Sequence, residues 1–200
     1  MNFAKSYLDV TKHTISSIED GALRLSYDAP IFALLAHALE LQLKASLVIG
    51  GKTHSEVEGY KHNLARLYAD SEKMSEPGYS INELENVVRS RWRQLLREAR
   101  DNYAARLSTL LGTDDTDVFK EFGVHSNSVI GQNLPELSEQ VRWLSERHAF
   151  GGSKFRYLKT GPDFYSNISE FGLNLNVPMR TVLWACEELD LMLRNKLFPK

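Results

Sequence analysis

The run from Ile31 to Ile49 constrains this chain more than any other feature. It is the most apolar stretch in the sequence, and Gly50-Gly51 closes it, as helix ends are often closed. Asp28 suits an N-cap, and Pro30 falls in the first turn, where a missing N–H costs little. His37, Glu40 and Lys44 stand at i, i+3 and i+7, so they share one stripe. Glu40 and Lys44 form an i, i+4 pair in the favourable order. A helix apolar on its remaining sides must be surrounded by other helices. The chain is therefore expected to be all-α, an up-and-down helical bundle.

The rest of the sequence supplies those neighbours. Residues 2–20 carry Phe3, Tyr7, Leu8, Val10, Ile15 and Ile18 at helical spacing, and Gly21 ends the segment. Thr53-His54-Ser55-Glu56 has the form of a capping box opening a short helix. A further helix is predicted from about His62 to Met74, before the Pro77-Gly78 break. A long one runs from about Ile81 to Leu111, with Leu84, Val87, Val88, Trp92, Leu95, Leu96, Tyr103 and Leu107 inward and Gly112 at its end. Pro135 opens a helix to about Phe150, and Asn176 and Pro178 start a last one, about Val177 to Leu197. Residues 151–176 form a long irregular connection before that helix, with room for a short strand pair. We read one domain over residues 1–200, with an N-terminal helical extension (1–29) and an irregular insertion (113–134).

Composition narrows the function classes. A net charge of −2 gives no global attraction to nucleic acid, so any anion-binding surface must be a local patch. The one cysteine, Cys186, excludes an intrachain disulfide and a Cys-rich zinc site, and its apolar surroundings suit a small buried side chain. No stretch reaches the ~18 uninterrupted apolar residues of a membrane span, and the start lacks a signal-peptide layout. The expectation is a cytoplasmic protein with no membrane partner. There is no Gly-rich phosphate loop, no His-Glu-x-x-His motif and no Gly-x-Ser-x-Gly elbow, so no cofactor and no metal are expected.

Three local patterns occur in a telling order. They are Ala38-Leu39-Glu40-Leu41-Gln42-Leu43-Lys44-Ala45-Ser46-Leu47, His62-Asn63-Leu64-Ala65-Arg66-Leu67, and Phe155-Arg156-Tyr157. Together they resemble the HEPN (higher eukaryote and prokaryote nucleotide-binding) family. The first is similar to its early core helix and the second to its His-polar-Leu-x-x-Leu signature. The third is similar to an Arg-Tyr doublet often followed by Pro, where this chain has Leu158. The resemblance covers about residues 30–74 and 135–197. It implies a helical bundle, often paired as a homodimer through the bundle face.

Many HEPN domains are metal-independent ribonucleases marked by an Arg followed four to six residues later by a His. The match here is Arg142 to His148, with Trp143 where the family has a polar residue. The resemblance implies catalytic roles for this pair: a guanidinium can hold a phosphate and a histidine can move protons. The six-residue spacing would need a break near His148, because on one straight helix the two do not face each other. The alternative is a solvated Arg and a His placed favourably at a helix C-terminus.

Other residues carry two readings each. His37, Glu40 and Lys44 either form a polar site near Arg156 and Tyr157 or serve as a paired stripe that fixes packing. His62 caps or anchors its helix, or joins the chemistry. Arg156 and Tyr157 could stack and hold a nucleotide, or clamp the long connection. Arg89, Arg93, Arg97 and Arg100 follow one helical face that could track phosphates, or is simply a wet face. The leading expectation is a HEPN-like protein engaging RNA or nucleotides, as a toxin or defence ribonuclease, with an antitoxin or other protein as partner. The alternatives are a non-catalytic HEPN-fold interaction module and, more weakly, a small-molecule binder near Arg156.

Overall fold

The computed structural model describes residues 2–20, 22, 29–74, 80–112, 134–148, 167–170 and 173–198. Its helices are α1 (Asn2–Glu19), α2 (Ala29–Ile49), α3 (His54–Glu58), α4 (Leu64–Glu72), α5 (Ile81–Leu111), α6 (Leu137–His148) and α7 (Val177–Leu197). An antiparallel pair, β1 (Asn167–Glu170) with β2 (Leu173–Asn176), sits just ahead of α7, in the connection that has room for a short strand pair. The register joins Asn167 to Asn176 and Glu170 to Leu173. The fold is a helical bundle, as the apolar α2 run demands.

α2 is the axis. It packs against α1, α4, α6 and α7, and Ile31, Leu35, Ala36, Ala38, Leu39, Leu43 and Leu47 are essentially removed from water. Residues 30–49 are apolar enough on average to cross a membrane, but here most of that stretch is buried by protein. α2 ends as the sequence expects. Gly51 takes φ +95°, the Lys52 N–H reaches the Leu47 carbonyl and the Gly51 N–H the Val48 carbonyl, which satisfies orphan carbonyls at the helix end.

α1 belongs to the core and is not an appendage. Ala4, Leu8, Thr11 and Ile15 recur every three or four residues and are buried against the bundle. Thr11 is tolerated there because its hydroxyl donates to the Tyr7 carbonyl at 2.7 Å. Phe3 and Val10, read from sequence as part of the helical pattern, face outward and are well exposed.

Specific polar bonds fix how the helices sit. The Gln42 amide donates to the Cys186 carbonyl at 2.9 Å, joining α2 to α7. Ser46 and Ser71 join hydroxyls at 3.1 Å between α2 and α4. The Ala65 N–H donates to Ser145 at 3.1 Å, pinning α4 to α6. The Leu137 N–H donates to Glu85 at 2.7 Å, holding the start of α6 on α5. Arg91 of α5 and Lys12 of α1 both bind Glu187 of α7, at 2.8 and 2.7 Å. Cys186 is fully buried, and burial pushes its thiol pKa up, so it behaves as a small apolar side chain.

Candidate functional site

One carboxylate organises the interior of the bundle. Glu40 lies midway along α2, only 4 % exposed. Its Oε1 accepts from Lys44 Nζ at 2.6 Å, one turn further along the same helix. Its Oε2 meets His62 Nδ1 at 3.0 Å and His148 Nε2 at 2.7 Å. A carboxylate is acceptor-only, so both imidazoles donate their N–H to it, and the hydrogen bonds assign the tautomers. The free ring nitrogens are then His62 Nε2 and His148 Nδ1.

Each histidine arrives from a different element. His37 precedes Glu40 by one turn of α2. Its ring lies edge-on to His148 at 4.8 Å and stacks on Tyr7 of α1 at 5.4 Å. His148 is the last residue of α6 and is buried. His62 lies in the turn between α3 and α4, with its side chain 59 % exposed, so it is open to a ligand.

The local sequence explains how that turn presents His62. Thr53 and Glu56 form the expected capping box, with Thr53 N–H to Glu56 Oε2 at 2.8 Å and Glu56 N–H to Thr53 Oγ1 at 3.3 Å. The chain then reverses through Lys61, which takes φ +51°. Tyr60 is buried and its hydroxyl donates to Asp70 at 2.6 Å, locking the turn to α4. The N-cap of α4 is Asn63, whose side chain accepts from the Arg66 N–H at 3.0 Å. His62 therefore does not cap α4; its ring is spent on Glu40.

The electrostatics follow from this packing. Burial alone would raise the Glu40 pKa, but hydrogen bonds from His148, Lys44 and His62 outweigh it and hold the carboxyl at about 2. His37 is held below its ordinary value of 6.5, first by burial and then by His148, with Glu40 opposing. His37 makes no hydrogen bond among the described residues. Near neutrality it is an uncharged imidazole with nitrogens free to accept a proton. Lys44 balances Glu40, so each further proton on a histidine adds net positive charge to the site.

The donor atoms of His37, Glu40 and His148 lie within 4.8 Å of one another, and they are of the types that zinc takes. Both Glu40 oxygens are already occupied by three hydrogen-bond donors. The arrangement is that of a closed hydrogen-bonded cluster.

The structure brings together five of the residues singled out from sequence: His37, Glu40, Lys44, His62 and His148. It adds Tyr7. It does not join Arg142 to His148 within the chain. α6 runs unbroken to His148, so six residues separate the two by about 120° around the helix and about 9 Å along it. Arg142 is exposed while His148 faces Glu40. Trp143 packs edge-on against Phe32 at 5.1 Å and under the Arg147 guanidinium at 4.1 Å. Arg156 and Tyr157 lie outside the described residues, as does the insertion through residue 133.

The α5 arginines divide. Arg89 binds Glu85 at 2.5 Å and Arg100 binds Asp101 at 2.7 Å. Arg93 and Arg97 are exposed and make no hydrogen bond or ion pair among the described residues. No protein family, curated protein or solved structure matches this chain.

Proposed function

We propose that this chain is a HEPN-like protein that cleaves RNA without a metal, acting in the cytoplasm as a toxin or defence ribonuclease, with its chemistry at the Glu40 histidine cluster. One observation carries the reading. The two segments most similar to the HEPN family, around Glu40–Lys44 and His62-Asn63-Leu64, meet side chain to side chain through the 3.0 Å Glu40–His62 contact.

The chemistry needs a base, an acid and a positive environment. His37, neutral and free to accept, removes the proton from a ribose 2′-hydroxyl. That oxygen attacks the adjacent phosphorus, and the bond to the 5′-oxygen breaks. Protonated His62, held at Nδ1 by Glu40, gives its outward Nε2 proton to the leaving oxygen. The products are a 2′,3′-cyclic phosphate and a free 5′-hydroxyl. Glu40 and His148 are positioning residues, since Glu40 orients His62 and the buried His148 ring braces both Glu40 and His37. Lys44 keeps two further N–H donors for phosphate oxygens.

The test is cleavage of a mixed-sequence RNA in excess chelator, with wild type beside His37→Ala, His62→Ala and Arg142→Ala. Cleavage by wild type and Arg142→Ala, reduced by roughly a hundredfold or more in each histidine variant, is the expected result. Loss only in Arg142→Ala would return the site to an Arg–His pair assembled between subunits. Loss of all cleavage with chelator, restored by a divalent ion, would replace the acid–base scheme with a metal centre.

A second reading, a non-catalytic interaction module, draws on one feature. Phe3 and Val10 stand two turns apart on the outer face of α1, 79 % and 53 % exposed, and Leu191 is exposed on α7. Such an apolar stripe suits a protein–protein contact, a homodimer included. RNA left intact by wild type would favour it.

A further inference from the structure

We infer that the cavity between α2, α3 and the end of α7 is a nucleobase subsite that selects guanine, with Glu58 reading the paired N–H groups of the base. This rests on the RNA reading above and names the sequence preference of that same site.

The cavity measures about 420 Å³, within the range of pre-formed small-ligand sites. Its walls are Ala45, Val48 and Ile49 of α2, Val57 of α3 and Leu197 of α7. Such walls suit the two faces of a planar ring. Its polar groups are few: Lys44, His54 and Glu58.

Its position ties it to the histidine cluster. Lys44 lines the cavity while its ammonium holds Glu40. Along α2, Val48 stands one turn beyond Lys44 and two beyond Glu40, roughly 6 and 12 Å. Lys44 is the residue that the cavity and the cluster share, so a base seated there would leave its sugar and phosphate on the side of Lys44 and Glu40.

The polar groups suggest which base. His54 and Glu58 are four residues apart on α3 and share a face. Both are exposed, and neither side chain has a hydrogen-bond or ion-pair partner among the described residues. Glu56, between them, is consumed by the capping box. A free carboxylate offers two acceptors side by side. Guanine offers two adjacent donors, N1–H and the N2 amino group, so both oxygens are satisfied at once. Adenine and cytosine each set an amino donor beside a ring-nitrogen acceptor, which repels the second oxygen. Uracil has one N–H between two carbonyls. His54 can donate to O6 or N7 of guanine, both acceptors.

The test is calorimetric titration of the full chain with GMP, AMP, CMP and UMP, on wild type, Glu58→Gln and Val48→Trp. GMP is expected to bind at least roughly tenfold tighter than the others, as a paired charge-assisted contact allows. Glu58→Gln, an exposed and fold-neutral change, should erase that preference. Val48→Trp should fill the cavity and remove base-dependent binding. Equal binding of all four nucleotides, or a preference that survives Glu58→Gln, overturns the proposal. The two readings fail separately: guanine-selective binding without RNA cleavage keeps the subsite and rejects the catalytic scheme, and cleavage without base preference does the reverse.

Discussion

Replacing Glu40 with Gln tests whether the buried carboxylate is the keystone of the cluster. A carboxyl with an ordinary value of 4.5, held at about 2 in the fold, corresponds to about 3 kcal/mol of interaction favouring the folded state at neutral pH. The contacts give a similar figure from the other side. Lys44 and His62 both reach solvent and lose little when the carboxylate goes. His148 is buried, so its N–H would lose a charged acceptor, a loss of about 1.5–3 kcal/mol. Gln also turns an amide donor toward one of three groups that are themselves donors. Glu40→Gln should therefore cost about 3 kcal/mol at pH 7, read from urea unfolding.

The pH dependence distinguishes this cause from general damage. The Glu40 value is depressed in the fold, so its stabilisation is fully present above about 4.5 and disappears as pH falls toward 2. Acid also weakens wild type through groups remote from Glu40, and those effects are common to both proteins and cancel in the difference. His37 does not cancel, because Glu40 favours its charged form and the Gln variant loses that support. The gap between wild type and Glu40→Gln should therefore be no smaller at pH 5 than at pH 7, then narrow steadily below 4.5. A gap under about 1 kcal/mol at pH 7, or one unchanged down to pH 3, would refute the reasoning.

Three further outcomes follow from the structure. His37 is held below 6.5, so the limb of the cleavage–pH profile that reports the base should lie on the acid side of an ordinary histidine, and unfolding measurements should show His37→Gln less sensitive than wild type to acid below 6.5, because in wild type the unfolded chain binds that proton more tightly. Thr53→Ala breaks the capping box and should cost about 1 kcal/mol in chemical unfolding.

The helices were largely legible because their signals are local. α2, α5 and α7 lie where the apolar period places them, and Gly51 and Gly112 end α2 and α5 in left-handed conformations that glycine adopts freely. The N-terminal helix was legible as a helix and as a neighbour of α2, and Leu8 and Ile15 of its apolar set are buried. Its buried stripe also takes in Ala4 and Thr11, while Phe3 and Val10 point outward. Hydrophobicity alone misses Thr11, whose hydroxyl is satisfied within its own helix. The site was half legible. The Glu40–Lys44 stripe and the His62 motif stand out in sequence, yet their meeting depends on a turn through Lys61 at positive φ and on the Tyr60–Asp70 bond. His148 was singled out with Arg142, which α6 does not bring to it within the chain, and not with Glu40. Its bond to Glu40 spans 108 residues, which no local spacing encodes.

Stability alone gives little reason for this cluster. Packing α2 requires an apolar surface at residue 40, and Leu35, Leu39, Leu43 and Leu47 supply it on either side. An apolar residue there, with apolar partners at 62 and 148, would avoid desolvating a carboxylate, and such replacements are often neutral or stabilising. The cost is met only because three donors converge on Glu40. They converge in an uneven way: His148 is sealed in, while His62 is open on its far side. A purely structural latch would have no use for that opening, nor for His37 standing beside it with no hydrogen-bond partner among the described residues. The asymmetry is what acid–base work requires, one fixed end to set the tautomer and one free end to exchange a proton. In the proposed scheme, the adjoining cavity lined by Lys44, Val48 and Ile49 is the side from which the substrate reaches that free end.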